Sequence, residues 1–196
     1  RVLSLLPPLR SCGLGGARGA GQGDGLVGRR SRTSFVRYQA TGVKIMQDGV
    51  LENFTGAVLA PYLDAEGRPT GNRGLSQVDP LPLRGYVARL DALGFQPHFH
   101  AIGERAVREC LDAVAAARAA NGMSDTRPHI AHIQVIHPED IGRFRELGVV
   151  ANAQAYWARH DGQMDRLTIP VLGPARSTLQ YPFHSIRSAG ATLSMV

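Results

Sequence analysis

The sequence predicts an α/β fold built on a parallel β-sheet. Two observations support this: strand-like segments alternate with helix-like ones, and 43% of the 196 residues are hydrophobic. This length and composition suit one domain with a buried core. A parallel barrel and an open doubly wound sheet both fit, although the lack of a glycine-rich phosphate motif after a strand disfavours nucleotide-binding open sheets.

Residues 1–34 differ in composition from the rest of the chain. They are rich in glycine and hold six arginines and one acidic residue, so most of the formal net charge of +6 lies here. Ordering such a segment would cost more chain entropy than its few apolar residues could offset. We therefore predict a disordered Arg/Gly-rich segment over 1–34 and a folded domain over 35–196.

The regular pattern begins with a strand and a helix separated by a long loop. Residues 42–49 predict a short strand closed by an Asp-Gly pair, and a loop rich in glycine, proline and asparagine follows over about 55–82. Apolar residues at helical spacing predict a helix over 83–93, which ends at Gly94.

The alternation then continues to the last residue. Strands are predicted over 95–101 and 130–136, and a helix lies between them over 104–120 because its apolar residues fall on one face. Pro138 opens another helix, with acidic residues in its first turn. Two more strands are predicted, over 149–153 and 191–196.

Polar side chains interrupt the predicted strands, although strands of a parallel sheet should be almost wholly apolar. Lys44, the only lysine among 22 basic residues, shares a strand face with Asp48. His98 and His100 share a face of the next strand, because side chains alternate between faces with a period of two. Buried ammonium and imidazole groups are costly unless they are paired or bound to a metal.

A further strand adds His132 and Gln134 on one face, whereas His129 on the opposite face is expected to pack under a helix or to orient a ring from outside. The inward groups could converge at the carboxyl ends of the strands, where barrel enzymes carry out their chemistry. Neutral imidazole is a common ligand of zinc and similar ions. A single strand histidine is more often a hydrogen-bonded core residue, so the residues alone leave a metal cluster and a structural role equally open.

Other notable residues have ordinary structural interpretations. His137 precedes a helix and is expected to cap it, and Cys110 lies on an apolar helix face. Tyr156, Trp157 and Tyr181 could line a pocket mouth, although aromatic residues in such loops are as often packing. Two cysteines exclude a disulfide scaffold and a four-thiolate zinc site. No apolar run approaches the roughly 20 residues that span a bilayer.

Several motifs together carry a family resemblance. They are VKIMQDG over 43–49, PY at 61–62, HFHAIGERAV over 98–107, HIAHIQ over 129–134 and HPED over 137–140. In this combination the chain from about 43 to 196 resembles amidohydrolase family 3, a branch of the metal-dependent amidohydrolase superfamily near N-substituted formamide deformylases and D-aminoacylases.

The resemblance implies an incomplete (β/α)8 TIM-type barrel of the metal-dependent hydrolase kind, here roughly strands four to seven. It implies that Lys44 becomes carboxylated and bridges two divalent metal ions, with zinc expected, and that His100 and His132 ligate one of them. A carbamate is an anion, so carboxylation would remove the buried ammonium. The resemblance also places three residues beside the ligands or in the substrate pocket: Asp48, His98 and Gln134.

The same resemblance implies hydrolysis of non-peptide carbon–nitrogen bonds in small-molecule amides, by water that a metal activates. The chain departs from the family pattern in lacking a His-x-His pair before Lys44 and the last-strand Gly-Ser-Asp, and Glu104 stands where aspartate is usual. Its 196 residues also fall short of the roughly 250 of a complete barrel. We therefore expect a fragment that is inactive alone, and assign no catalytic residue.

Two other interpretations remain open at this stage. One is a non-catalytic α/β module whose basic tail binds nucleic acid, which the lack of aromatic residues in the tail disfavours. The other is a structural remnant that self-associates through exposed barrel edges. For the leading interpretation we expect a small-molecule amide substrate, no membrane partner and a cytoplasmic location.

Overall fold

The computed structural model of the chain describes residues 3–4, 25–28, 30–32 and 40–195. Six strands form one sheet: β1 (Leu3–Ser4), β2 (Gly42–Met46), β3 (Gln96–Ala101), β4 (His129–His132), β5 (Val150–Ala153) and β6 (Leu193–Met195). Residues 25–28 and 30–32 are helical, and the helices of the region 40–195 are α1 (Pro80–Ala92), α2 (Glu104–Asn121), α3 (Pro138–Glu146), α4 (Ile169–Leu172), α5 (Pro174–Ser177) and α6 (Phe183–Ser188). Short 3-10 turns also cover Leu51–Asn53 and Ala155–Ala158, and a π-helical turn covers Met164–Thr168.

The strands lie side by side in the order in which they occur in the sequence, and every neighbouring pair is parallel. A doubly wound sheet would reverse its strand order at a switch point, whereas successive strands of a (β/α)8 barrel add in one direction. This order therefore resolves the ambiguity left by the sequence in favour of an arc of a barrel.

The two faces of the sheet differ in burial. On the side of the helices the strand side chains belong to one fully buried apolar core, as for Val43, Phe99, Ile130 and Ala151. On the opposite side lie side chains that are half-buried, among them Lys44, Met46 and His98. The polar strand residues therefore lie on the inner face of the arc, away from the helices.

Local capping sets the beginnings of the main helices. The Asp79 carboxylate accepts a hydrogen bond from the Leu81 N–H at 2.9 Å, and Pro80 occupies the first turn of α1. The His137 ring accepts one from the Glu139 N–H at 3.4 Å at the start of α3. The predicted cap at His137 is therefore confirmed, and α1, α2 and α3 begin within three residues of their predicted starts.

Two strands, β2 and β4, end several residues before their predicted ends. β2 ends at Met46, so that Asp48 lies in the loop beyond it. β4 ends at His132, because His132 and Ile133 have φ angles of 77° and 43° and the chain leaves the extended conformation there. Asp48 and Gln134 lie beyond these strand ends. The predictions that Asp48 shares a strand face with Lys44, and Gln134 one with His132, were therefore wrong.

The described parts of the N-terminal segment contact the domain. β1 pairs with β2, Leu26 is buried in the main core, and the Arg30 guanidinium lies 5.2 Å from the centroid of the Phe95 ring. The rest of the segment predicted to be disordered lies outside the described residues. Among the described helices, none is both long enough and apolar enough to cross a membrane.

Candidate metal centre

Two histidines meet at the carboxyl ends of β3 and β4. The ring centroids of His100 and His132 are 4.6 Å apart. In the sheet register His100 pairs with Ala131 and Ala101 pairs with His132, so regular alternation would place the two rings on opposite faces. The positive φ of His132 takes it out of this alternation, and the two rings come into contact.

The backbone at this point is unusual. Ile133, which follows His132, also has a positive φ, and it is a fully buried β-branched residue. Such a conformation is rare for β-branched side chains and is concentrated at functional sites, where the surrounding structure offsets its cost. The backbone conformation at the end of β4 therefore sets the direction of the His132 ring.

Each histidine has one ring nitrogen held by a carbonyl oxygen. His100 Nε2 lies 2.9 Å from the Gly49 carbonyl oxygen and 3.6 Å from Asp48 Oδ1, and His132 Nδ1 bonds to Oε1 of Gln154. In a neutral imidazole that donates from one nitrogen, the other nitrogen carries the lone pair. Metal-binding histidines are oriented in this way, so His100 Nδ1 and His132 Nε2 fit the role of ligands.

Burial keeps these rings neutral. It lowers the pKa of His132 to about 4, against a smaller raising effect of the Gln154 hydrogen bond, and it also lowers the pKa of His100. Burial lowers the pKa of the Lys44 ammonium as well. Because only the neutral imidazole can bind a metal, both histidines are in the required form at neutral pH.

A second pair of histidines, His98 and His129, lies nearer the amino ends of β3 and β4. Lys44 pairs with His98, and His98 pairs with His129, whose ring centroid is 5.5 Å from that of His98. His129 therefore shares the inner face with the other histidines, and the prediction that it packs under a helix was wrong. The prediction depends on regular alternation between His129 and His132, and His132 departs from this alternation.

We expect the charge state of His98 to make stability depend on pH. Burial lowers the pKa of His98 to about 4, so between about pH 6.5 and pH 4 the unfolded chain binds more protons than the folded one. The free energy of unfolding should therefore fall as the pH is lowered through this range. Urea unfolding at several pH values should show a shallower dependence in His98→Gln, with exposed His184→Gln as the control; equal slopes in His98→Gln and wild type would contradict the prediction.

Asp48 is the anchor of the loops around the site. Its side chain is fully buried, and its two carboxylate oxygens accept hydrogen bonds from the N–H groups of Ala57, Ile102 and Gly103 at 2.9, 3.0 and 2.9 Å. Burial raises the pKa of Asp48 to about 7, whereas these three hydrogen bonds lower it. Asp48 thus ties the end of β2 to the following loop and to the turn after β3.

Gln134 does not join the histidines. Its Nε2 donates to Gln180 Oε1 at 3.1 Å, and its carbonyl oxygen accepts from the Tyr181 N–H at 2.7 Å. The prediction that it shares a strand face with His132 was wrong, because β4 has already ended. Its observed contacts tie the loop after β4 to the segment before α6.

Two residues of the site lay outside the candidate ligand set. Gln154 directly follows β5 and binds His132, and the Trp157 ring stacks on the His132 ring with centroids 5.2 Å apart and an angle of 12° between the planes. Gln154 is a polar residue at the carboxyl end of a strand, which is the pattern that could have identified it. For Trp157 the sequence predicts only a place at a pocket mouth or a packing role.

The described ligand set is partial. In residues 40–195 and the shorter described segments, no group of three or more His, Cys, Asp or Glu side chains is placed to hold a metal ion. The donor set therefore consists of two neutral imidazoles, with Lys44 on the neighbouring strand as a ligand only if it is carboxylated. This chemistry fits half of a metal centre.

Consecutively wound parallel strands with functional groups at their carboxyl ends are typical of (β/α)8-barrel enzymes, and imidazole pairs there are typical of metal-dependent ones. The chain belongs to the amidohydrolase family, because the model of that family matches residues 26–195. The resemblance inferred from the sequence motifs is thereby confirmed.

Two curated relatives each match part of the chain. Protein LONG AFTER FAR-RED 3 of Arabidopsis thaliana is 32% identical over 155 residues, which cover 79% of this chain and 25% of that protein. The exoenzymes regulatory protein AepA of Pectobacterium carotovorum subsp. carotovorum is 34% identical over 101 residues, which cover 52% of this chain and 20% of that protein. The chain thus matches a quarter or less of the length of each relative.

Two solved structures share the fold, both of uncharacterized metal-dependent hydrolases. The one from Pyrococcus furiosus has a TM-score of 0.70 at 23% identity and covers 87% of this chain and 34% of its own. The one from Pyrococcus horikoshii OT3 has a TM-score of 0.70 at 20% identity, covering 88% of this chain and 33% of its own. These likenesses confirm the incomplete barrel predicted from the sequence.

Proposed function

We propose that this chain supplies half of the metal centre of a hydrolase that cleaves non-peptide carbon–nitrogen bonds of small-molecule amides. The observation that carries the proposal is the contact between His100 and His132, each with one ring nitrogen held by a carbonyl oxygen. Membership in the amidohydrolase family supports the reaction class. Zinc is the proposed metal, because it accepts imidazole ligands and has no redox chemistry of its own.

In this proposal each group of the chain has a separate task. His100 and His132 would hold the ion, which would polarise the amide carbonyl as a Lewis acid and lower the pKa of the attacking water. The Gly49 and Gln154 carbonyl oxygens orient the two rings. Asp48 keeps the loop that carries Gly49 against the turn after β3.

Lys44 is proposed to become a ligand by carboxylation. Because burial lowers its pKa, a larger share of the amine is unprotonated and can attack carbon dioxide. The new nitrogen–carbon bond gives a carbamate, and the nitrogen releases one proton. The product is an anion with two oxygen donors, and it replaces a cation that would repel a metal ion bound by the neighbouring histidines.

The turnover is assigned to the whole protein rather than to this chain alone. The chain covers 25% and 20% of the curated relatives. We propose that the remaining ligands and the group that transfers protons to the leaving amine belong to other parts of a longer protein. The chain alone should therefore bind metal without hydrolysing N-acyl amino acids or N-substituted formamides.

A zinc titration tests this proposal. We expect the purified chain, supplied with bicarbonate, to bind zinc in competition with a chromophoric chelator, and His100→Ala and His132→Ala each to weaken binding at least about 10-fold. Lys44→Arg keeps the positive charge but cannot form the carbamate, so it should also weaken binding. Exposed His184→Ala is the matched control, and circular dichroism checks that each variant is folded.

The titration, together with an assay of amide hydrolysis, can contradict the proposal. Zinc affinity that is unchanged in both folded histidine variants would exclude this pair as the metal centre. Turnover of either amide class by the chain alone, lost in His132→Ala, would keep the reaction class and overturn the assignment of turnover to a longer protein.

A further inference from the structure

The His132 ring is held by the turn that follows β5. The φ of 77° takes His132 out of the strand alternation, so regular strand packing does not set the plane of its ring. Two side chains of the turn contact the ring instead. Gln154 Oε1 bonds to Nδ1, and the Trp157 ring lies 5.2 Å from the imidazole, centroid to centroid, with an angle of 12° between the planes.

These two contacts restrict the imidazole in different ways. The hydrogen bond from Gln154 holds one atom of the ring, and a glutamine side chain has enough rotatable bonds to follow that atom when the ring turns. The indole of Trp157 is a rigid plane, and the Trp157 backbone N–H donates to the Gln154 carbonyl oxygen at 3.1 Å, which ties the residue to the turn. The stack therefore restricts the plane of the His132 ring, which the hydrogen bond alone leaves adjustable.

The stack leaves the metal-binding edge of the imidazole free. Both nitrogens of an imidazole lie in the plane of the ring, and a metal ion binds in that plane along a nitrogen lone pair. Trp157 lies against a face of His132, so Nε2 at the ring edge stays open to an ion. The His100 ring is 4.6 Å away at an interplanar angle of 59°. A rotation of the His132 plane would therefore change where its Nε2 lone pair points relative to His100.

We propose that Trp157 is a positioning residue of the metal centre, whose indole fixes the plane of the His132 ring so that Nε2 is directed at an ion shared with His100. This inference deepens the proposed function and rests on it, because it takes the two histidines as ligands. In this role Trp157 acts through His132 and need not touch the ion. Groups that orient metal-binding histidines contribute to metal affinity, and an aromatic pair corresponds to a gain of about 3- to 10-fold.

Zinc titrations of variants of the turn test the inference. Trp157→Leu keeps apolar bulk but lacks a flat ring, so we expect zinc to bind about 3- to 10-fold more weakly. Trp157→Phe keeps a flat ring and should retain most of the affinity. Tyr156→Ala removes the neighbouring aromatic ring, which is 70% exposed, and should leave the zinc affinity unchanged. Circular dichroism and urea unfolding check that each variant is folded.

A double-mutant cycle separates positioning from a general effect on the fold. In the His132→Ala chain there is no imidazole for Trp157 to orient, so adding Trp157→Leu should cause no further loss of zinc affinity. A residue that only supports the fold would weaken zinc binding in both backgrounds, because its effect would reach the remaining ligands as well.

The fluorescence of the chain gives a second measurement. Trp157 is the only tryptophan, and zinc has no redox chemistry of its own, so a change in emission reports a change in the surroundings of the indole. We expect zinc to change the emission of the wild-type chain with the same midpoint as the chelator competition. The emission of the His132→Ala chain should not respond.

The outcomes distinguish this inference from the proposed function. Equal zinc affinities of folded Trp157→Leu and wild type overturn the inference, and so does an equal loss with and without His132. A Trp157→Phe chain that binds zinc no better than Trp157→Leu also overturns it. In each of these cases the proposed function stands if His100→Ala and His132→Ala still weaken zinc binding. If neither histidine variant changes zinc binding, the proposed function fails and this inference fails with it.

Discussion

Replacing Asp48 by alanine is expected to lower the free energy of unfolding by about 3–5 kcal/mol. The fully buried carboxylate accepts three backbone N–H groups, from Ala57, Ile102 and Gly103. Without it, these donors lose their partners in a region with little access to water, and each unpaired buried donor costs about 1–3 kcal/mol. Urea unfolding followed by circular dichroism measures the loss.

A second variant, Asp112→Ala, serves as the control for the Asp48 prediction. Asp112→Ala removes a partly exposed carboxylate that pairs with Arg84 and Arg143, and such pairs are worth about 0–1 kcal/mol each. A loss in Asp48→Ala no larger than in Asp112→Ala would show that the three backbone hydrogen bonds contribute little. Zinc affinity should fall in Asp48→Ala but stay unchanged in Asp112→Ala, because the Gly49 carbonyl that orients His100 is part of the loop that Asp48 anchors.

The Asp48 carboxyl should also give a distinct dependence on pH. Its pKa is raised to about 7 from 3.8, so between these values the folded chain binds more protons than the unfolded one. The free energy of unfolding therefore contains a contribution that falls as the pH rises from about 4 to about 7. Asp48→Asn cannot titrate and should lack this contribution, which is opposite in sign to that of His98.

Gly103→Ala is expected to destabilise the fold by about 3 kcal/mol or more. A Cβ atom at this position would lie 2.0 Å from the Ala57 carbonyl oxygen and 2.6 Å from its carbon. Both atoms are backbone, so relief requires the loop to move rather than a side chain to rotate. The movement would also separate the Gly103 and Ala57 N–H groups that share one oxygen of Asp48.

A second glycine provides a control of opposite sign. Gly85 is exposed in the interior of α1, and no atom lies within 4 Å of an added Cβ. Gly85→Ala should therefore raise the free energy of unfolding by about 0.5–1 kcal/mol through helix propensity and the unfolded state. Thermal and urea unfolding of the two variants should shift in opposite directions, and a neutral Gly103→Ala would show that the loop yields without cost.

Local patterns explain why the three long helices, α1 to α3, and most strands could be predicted. The apolar spacing of α1, the proline at its first turn and the His137 cap of α3 all act within a few residues along the chain. Lys44, His98 and His100 were placed on the inner face because regular strands alternate strictly. The family motifs added roles that periodicity alone leaves open, and the family match confirms the resemblance.

Contacts between distant segments explain what the patterns missed. Regular alternation fails at His132, where the positive φ turns the ring towards His100. It also fails beyond Met46, where Asp48 turns to bind the backbone of two other loops. Gln154 and Trp157 reach His132 across the gap between β5 and β4, and nothing near them in the sequence indicates that contact.

The sequence by itself determined the order of β2 to β6 and of α1 to α3, the inner face of β2 and β3, and the family, because periodicity, capping and motifs are encoded in neighbouring residues. Only the tertiary structure decided that the sheet winds in one direction, that His100 meets His132, and that Gln154 and Trp157 hold the His132 ring. These features depend on how each strand ends and on which loops approach it. Packing over the whole domain sets both.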